Sequence, residues 1–96
     1  EKLITATKEG SKIAVEVKCF LTDSPLTEFH AALGQFINYR LALLHNKADY
    51  TLYLAVPSES YFSFFQRQLP KLIIQQYQLK LLVYHTTKEE VVQWIN

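Results

Sequence analysis

The chain opens with two stretches of strand-type alternation. Residues 3–7 are a short β-favouring run, Lys8-Glu9-Gly10-Ser11 is a polar turn, and residues 13–20 resume the pattern, so a hairpin is predicted. In the second run Ile13, Val15, Val17 and Cys19 fall on one face, and Ala14, Glu16, Lys18 and Phe20 on the other. Glu16 and Lys18 therefore point the same way, with Cβ atoms on the order of 7 Å apart. Cys19 goes with the apolar set and is expected in the core.

The period then changes. Thr22-Asp23-Ser24-Pro25 is a helix-start signature, with Ser24 as N-cap and Pro25 at the first helical position. The helix is expected to run to about Asn46, with Leu26, Phe29, Leu33, Phe36, Ile37 and Leu44 forming one apolar arc. Gln35 and Tyr39 lie one turn apart on roughly the opposite side, beside the small residues Ala31, Ala32 and Ala42. So little charge on that side predicts a helix covered on both sides.

Residues 50–56 are a nearly continuous apolar and aromatic run ended by Pro57, which suits a central strand buried on both faces. Ser58 can cap a second helix over residues 59–68, and Pro70 either ends it or opens a further turn reaching Tyr77. Residues 79–84 read as another buried strand. Residues 90–95 are read as a last strand rather than a short helix, because Val91, Val92, Trp94 and Ile95 are β-formers. The order β-β-α-β-α-β-(β) gives an α/β domain with a mixed sheet.

With 96 residues, 49% of them hydrophobic, the chain is sized for a single domain with its own core. Ten Lys/Arg against nine Asp/Glu leave a formal charge of +1, which excludes a strongly basic nucleic-acid clamp or polybasic membrane anchor. No apolar run approaches the ~20 residues of a bilayer span, so no membrane is expected among the partners. The lone Cys19 cannot form an internal disulfide and fits a reducing, cytoplasmic setting. His30, His45 and His85 are scattered without zinc-ligand spacing, and His30 has no nucleophile spaced to meet it. Gly10 and Gly34 stand alone, with no phosphate loop around them. The chain has no methionine and begins with Glu1, so a segment N-terminal to it is expected to be missing.

The residues with most chemical content are Glu16 and Lys18 on their strand, followed by Gln35 and Tyr39 on the next helix. A carboxylate and an ammonium on one strand face suit phosphodiester cleavage. Glu16 would hold a Mg²⁺, with Mn²⁺ as a substitute, and Lys18 would orient the attacking water and offset charge developing on phosphorus. Gln35 and Tyr39 would bind the substrate phosphate or steady the metal-bound water. The competing reading of Glu-x-Lys is a solvated ion pair worth ~0–1 kcal/mol. Tyr50, Tyr53, Phe62, Phe64 and Phe65 read as core rather than as a base-stacking platform, and Trp94 either anchors an interface or closes the domain's own core.

Three segments resemble the cyanobacterial XisH family, the fdxN element excision controlling factors. They are Lys-Ile-Ala-Val-Glu-Val-Lys at residues 12–18, Phe-His-Ala-Ala-Leu-Gly-Gln-Phe-Ile-Asn-Tyr-Arg at 29–40, and Leu-Tyr-Leu-Ala-Val-Pro at 52–57. The likeness continues through residues 74–83 and the terminal Val-Gln-Trp-Ile-Asn. The family is similar to the restriction-endonuclease-like superfamily, whose pattern is an Asp, then Glu-x-Lys, often with Gln-x-x-x-Tyr on the following helix. The resemblance thus implies a restriction-endonuclease-like mixed sheet flanked by helices, with Glu16 as metal ligand and Lys18, Gln35 and Tyr39 in catalytic roles. It implies DNA as substrate in programmed element excision, as in heterocyst differentiation, and an XisI-like protein as partner; homodimer formation is left open. The pattern's first acid would precede Glu1. Asp23 is a poor substitute because it reads as part of the helix-entry cap. The alternative is a non-catalytic module of the same fold that recruits a recombinase or an XisI-like partner.

Overall fold

A computed structural model describes residues 2–96. Strands β1 (Lys2–Lys8) and β2 (Ser11–Val17) pair antiparallel through a two-residue turn. Its central residues Glu9 and Gly10 both have positive φ, 52° and 82°. That geometry belongs to the hairpin turn whose twist matches the flanking strands, and Gly10 adopts it without a Cβ penalty. Helix α1 (Pro25–His45) then crosses back to β3 (Thr51–Pro57), which pairs parallel to β2 with Glu16 opposite Leu54. A second crossover carries α2 (Ser58–Tyr61), a 3₁₀ turn (Phe64–Gln66) and α3 (Gln68–Tyr77) to β4 (Leu81–His85), parallel to β3. Strand β5 (Glu90–Ile95) closes the sheet antiparallel to β4, with a bulge opposite the Val83/Tyr84 step. The sheet order is β1-β2-β3-β4-β5. This is the mixed sheet and helix arrangement of the restriction-endonuclease-like class.

The three helices serve one face of the sheet. Ala14, Leu52, Leu54, Val56, Leu81 and Val83 meet Phe29, Ala32 and Phe36 of α1, Phe64 and Phe65 of the 3₁₀ turn, and the loop residue Phe20. The rings of Phe20, Phe29, Phe64 and Phe65 interlock, with edge-to-face pairs at 5.1–5.7 Å between centroids. Phe20 adopts φ 58°, a conformation that costs an aromatic residue about 1–3 kcal/mol and persists only where packing enforces it. Only strand residues line the other face among the described residues: Ile13, Val15, Tyr53 and Ala55, bordered by Leu82, Tyr84 and Trp94. The sheet coils enough that Lys8 on one edge strand places its Nζ 4.8 Å from the Trp94 ring on the other. Trp94 itself stands edge-on to Tyr53, 5.1 Å between centroids, so within this chain it closes the second, smaller core.

Several local expectations are corrected. The buried stripe of α1 is rotated from the arc read off the sequence: Ala32 is buried and Tyr39 and Leu43 join the core, while Leu26 and Leu44 are exposed, Leu44 by 74%. The small side chain of Ala32 lets the helix approach the sheet along that line, which selects its rotation. The described elements therefore cover α1 on one side only, and Leu41 is exposed as well. The helix expected over residues 59–68 is broken after one turn. Phe64 and Phe65 are adjacent and both buried, a demand that the 3₁₀ turn meets and a continuous α-helix does not. Pro70 falls in the first turn of α3, where a missing N–H leaves no intrahelical bond unmade. The last strand ladder begins at Leu81 because Gln78 turns left-handed, φ 52°, to end α3. Arg40 of α1 secures that end, donating from Nη1 to the carbonyls of Tyr77 at 2.9 Å and Gln78 at 3.3 Å. Ser24 does precede α1, but its hydroxyl contacts that of Thr27 at 2.8 Å rather than capping the backbone.

Cys19 is likewise exposed, not buried. Strand β2 ends at Val17, so Cys19 lies past the last β2–β3 pair and has no cross-strand neighbour to cover it. A bulky thiol reagent should therefore label Cys19 rapidly in the native protein, at a rate close to that in denaturant. Labelling that requires global unfolding would contradict this placement.

Candidate functional site

Alternation along β2 puts Ala14, Glu16 and Lys18 on the helix-facing side of the sheet. Ala14 lies in the main core, and its two polar successors are buried with it: Glu16 is 0% exposed and Lys18 9%. The N–H of Lys18 donates to the Ala55 carbonyl at 3.0 Å, continuing the parallel ladder one step past the strand and fixing the backbone beneath the ammonium. Leucines in the neighbouring positions of β3, Leu52 and Leu54, are in the same core, so the carboxylate of Glu16 stands in a largely apolar layer. A charge there is expensive unless it is matched, and none of Glu16, Lys18, Gln35 and Tyr39 is without a partner in the fold.

Gln35 and Tyr39 follow on α1. Tyr39 packs against the core that includes Ala14, and Gln35 is half-buried one turn earlier. Glu16 and Lys18 are thus buried on the helix-facing side of the sheet, Tyr39 packs on the same core from α1, and Gln35 is half-buried on that helix. Asp23, in the loop entering α1, is exposed, and Glu1 lies outside the described residues. Among the described residues no group of three or more His, Cys, Asp or Glu side chains is placed to hold a metal ion. The carboxylate that these residues do offer, Glu16, is a hard oxygen donor, the type that Mg²⁺ accepts while keeping waters and substrate phosphates for its other positions.

The ends of β2, β3 and β4 carry groups that the sequence did not single out. The hydroxyl of Tyr84 points to the carbonyl of Lys18 at 3.5 Å, the long limit for a hydrogen bond, and so ties β4 to the backbone of the candidate site. Burial raises the Tyr84 phenol above its ordinary value, with smaller contributions from Cys19 and Glu59. Glu59, in the first turn of α2, accepts from Thr86 at 3.2 Å and so links α2 to the β4–β5 turn. Its carboxyl is held below the ordinary value of 4.5, first by its own backbone N–H, then by the hydroxyls of Thr86 and Ser58 and the nearby His85, against the opposing effect of burial. These links come from residues far apart in the chain, and parallel pairing alone brings them together. The sign follows from the depressed value: the link is intact above ordinary carboxylate pH and is lost as the pH falls through the lowered value. In an NMR titration Glu59 should protonate below the ordinary value of 4.5, and Thr86→Val should move it upward. On the opposite face of β2, Val15, Val17, Ala55, Leu82 and Tyr84 floor an apolar cavity of about 360 Å³. No helix of the described residues is long and apolar enough to cross a membrane.

Two solved structures resemble this chain closely. One is an XisH family protein from Nostoc punctiforme PCC 73102, at 54% identity and a TM-score of 0.92, covering 98% of this chain and 74% of its own. The other is a fdxN element excision controlling factor protein from Anabaena variabilis, at 56% identity and a TM-score of 0.94, covering 100% of this chain and 75% of its own. No curated protein matches. The family model of the XisH protein matches residues 1–92, and with it the strand bearing Glu16 and Lys18 and the helix bearing Gln35 and Tyr39. The chain belongs to the XisH family.

Proposed function

We propose that this protein is a DNA-processing factor of programmed element excision, working as a Mg²⁺-dependent endonuclease built on Glu16 and Lys18. The observation that carries the reading is burial. A solvated surface pair, the bland interpretation of Glu-x-Lys, would stand in water, whereas Glu16 and Lys18 are 0% and 9% exposed. Isolating charges in an apolar layer costs several kcal/mol per ion before any repayment, and such sites are where functional groups concentrate. They also stand near the carboxyl ends of parallel strands, where open α/β sheets bind their ligands.

In this mechanism Glu16 would hold the metal, with further positions left to water and to phosphate oxygens of the DNA. A bound Mg²⁺ or Mn²⁺ would supply Lewis-acid polarisation of the scissile phosphate. Lys18 orients the attacking water and offsets the negative charge that grows on the phosphoryl oxygens in the transition state. Gln35 and Tyr39 hold a phosphate oxygen in place, which contributes by positioning. One carboxylate fixes Mg²⁺ weakly, so this chain tested alone is expected to be silent, and activity is expected when its XisI-like partner is present.

The second reading is a non-catalytic module that recruits a recombinase or the XisI-like partner. Its support is the net charge of +1, since dedicated DNA binders gain affinity by neutralising phosphates. Plasmid nicking with Mg²⁺ or Mn²⁺ against an EDTA control, with and without the partner, separates the two. Metal-dependent nicking is the expected result. Persistent absence of nicking by the full protein with its partner leaves the recruiting module.

A further inference from the structure

The opposite end of the sheet carries an excess of lysines. At the amino ends of the parallel strands stand Lys8, Lys12, Lys47 and Lys80, against Glu9 and Asp49. The carboxyl ends gather Glu59, Glu89 and Glu90 together with Lys18 and Lys88. Near-neutrality of the whole chain therefore conceals a local excess of lysines at the amino ends.

At the basic end, on the face away from the helices, a polar cleft of about 370 Å³ opens across three strands and the residue that precedes β4. Lys8 comes from the end of β1, Glu9 from the hairpin turn, Ser11 and Ile13 from β2, Thr51 and Tyr53 from β3, and Lys80 from the residue before β4. Alternation explains the gathering: Lys8 is opposite Ser11, and Ile13, two residues on, is opposite Thr51, so all three strands turn these side chains to one face. The volume equals that of about a dozen waters at ~30 Å³ each, ample for a tetrahedral anion with part of its hydration.

The donors are held ready. Lys8 lies over the Trp94 ring at 4.8 Å, which fixes the course of its long stem. Its ionic partner is Glu9 at 3.0 Å, but that carboxylate side chain is 84% exposed, and a pair of this kind is worth only ~0–1 kcal/mol. Tyr53 gives its hydroxyl proton to the side chain of Asn96 and is not a donor to the cleft. The ammonium of Lys80 and the hydroxyls of Ser11 and Thr51 engage no other described residue. Two lysines and two hydroxyl donors border one cleft against the single, exposed carboxylate of Glu9, a donor set that matches the acceptor oxygens of a phosphate group.

We propose that this cleft binds a phosphate group, through Lys8, Lys80, Ser11 and Thr51. It lies on the sheet face opposite to Glu16 and Lys18 and about 20 Å away along β2 at ~3.3 Å per residue, so it is not the position of a scissile phosphate. The proposal stands independently of the nuclease reading. The phosphate belongs either to a small phosphorylated molecule or to a nucleic-acid backbone.

The test is titration of ¹⁵N-labelled protein with inorganic phosphate at low, constant ionic strength, with sodium chloride as control. Saturable shifts are expected at the amides of Ser11, Thr51 and Lys80, and not with chloride. Lys80→Gln should weaken phosphate binding about tenfold or more, the loss of one charge-assisted hydrogen bond. Lys80→Arg should restore it, and Lys71→Ala on α3 should leave it unchanged. A short DNA duplex that shifts the same amides at lower phosphate concentration identifies the backbone as the source; a response to inorganic phosphate alone identifies a small molecule. Absence of saturable shifts with both probes, or shifts undiminished in a folded Lys80→Gln protein, overturns the assignment.

Discussion

Lys18→Ala is expected to reduce metal-dependent nicking by the full protein and its partner roughly 10²–10³-fold, the scale of losing one preorganised electrostatic stabiliser of a transition state. DNA binding should be mostly retained, because one phosphate-facing cation contributes little to the whole contact. Glu16→Gln should lose metal affinity and activity together. Because both side chains are buried, a fold defect must be kept apart from a chemical one. Removing Lys18 leaves the Glu16 carboxylate in an apolar layer with one cation fewer on its strand face, and breaking a buried pair commonly costs about 3–5 kcal/mol. The double variant Glu16→Gln, Lys18→Met removes both charges at nearly constant volume and should melt close to wild type while remaining inactive. Nicking by Lys18→Ala at the wild-type rate would falsify the catalytic role of the ammonium.

Phe29→Ala should be the most damaging single change to the fold, destabilising it by about 3–5 kcal/mol. Phe29 is fully buried and meets the rings of Phe20, Phe64 and Phe65 at 6.5, 5.7 and 5.5 Å between centroids. The cavity has little scope to collapse, because those neighbours are themselves held by one another and by the sheet. A domain of this size has a total stability of only about 5–15 kcal/mol, so the variant approaches marginality at room temperature. Leu44→Ala, on the exposed side of α1, should by contrast change stability by less than about 0.5 kcal/mol. Urea unfolding checks both, read from the midpoint at constant slope. A loss below about 1 kcal/mol for Phe29→Ala would show that the ring cluster is not the centre of the core.

The same layer explains why the candidate site and the aromatic cluster are coupled. Phe20 follows the site strand by two residues from Lys18, and its ring in the cluster holds a left-handed backbone that re-aims the chain from β2 toward α1. Loosening the cluster therefore loosens the exit of the strand that carries Glu16 and Lys18, so packing variants around Phe20 are expected to affect chemistry as well as stability.

Local chemistry alone determined most of the elements. The alternation of residues 13–17, the Ser-Pro entry to α1, the apolar run ending at Pro57 and the β-rich segment before Asn96 each reflect a period or a terminator that acts within a few residues. The strand sharing of Glu16 and Lys18 was legible for the same reason, since a period of two needs no tertiary information. The rotation of α1, the exposure of Cys19 and the break between α2 and α3 were not. Each depends on which neighbour a side chain meets: Ala32 rather than Leu26 or Leu44 meets the sheet, Cys19 lies beyond the last paired position, and Phe64 and Phe65 must both turn inward. Burial of Glu16 and Lys18, the decisive fact for the site, is likewise a tertiary property, because alternation assigns a side chain to a face but not what covers that face. The gathering of Lys8, Ser11, Thr51 and Lys80 at one end follows from parallel pairing of strands separated by whole helices, and no local pattern encodes that proximity.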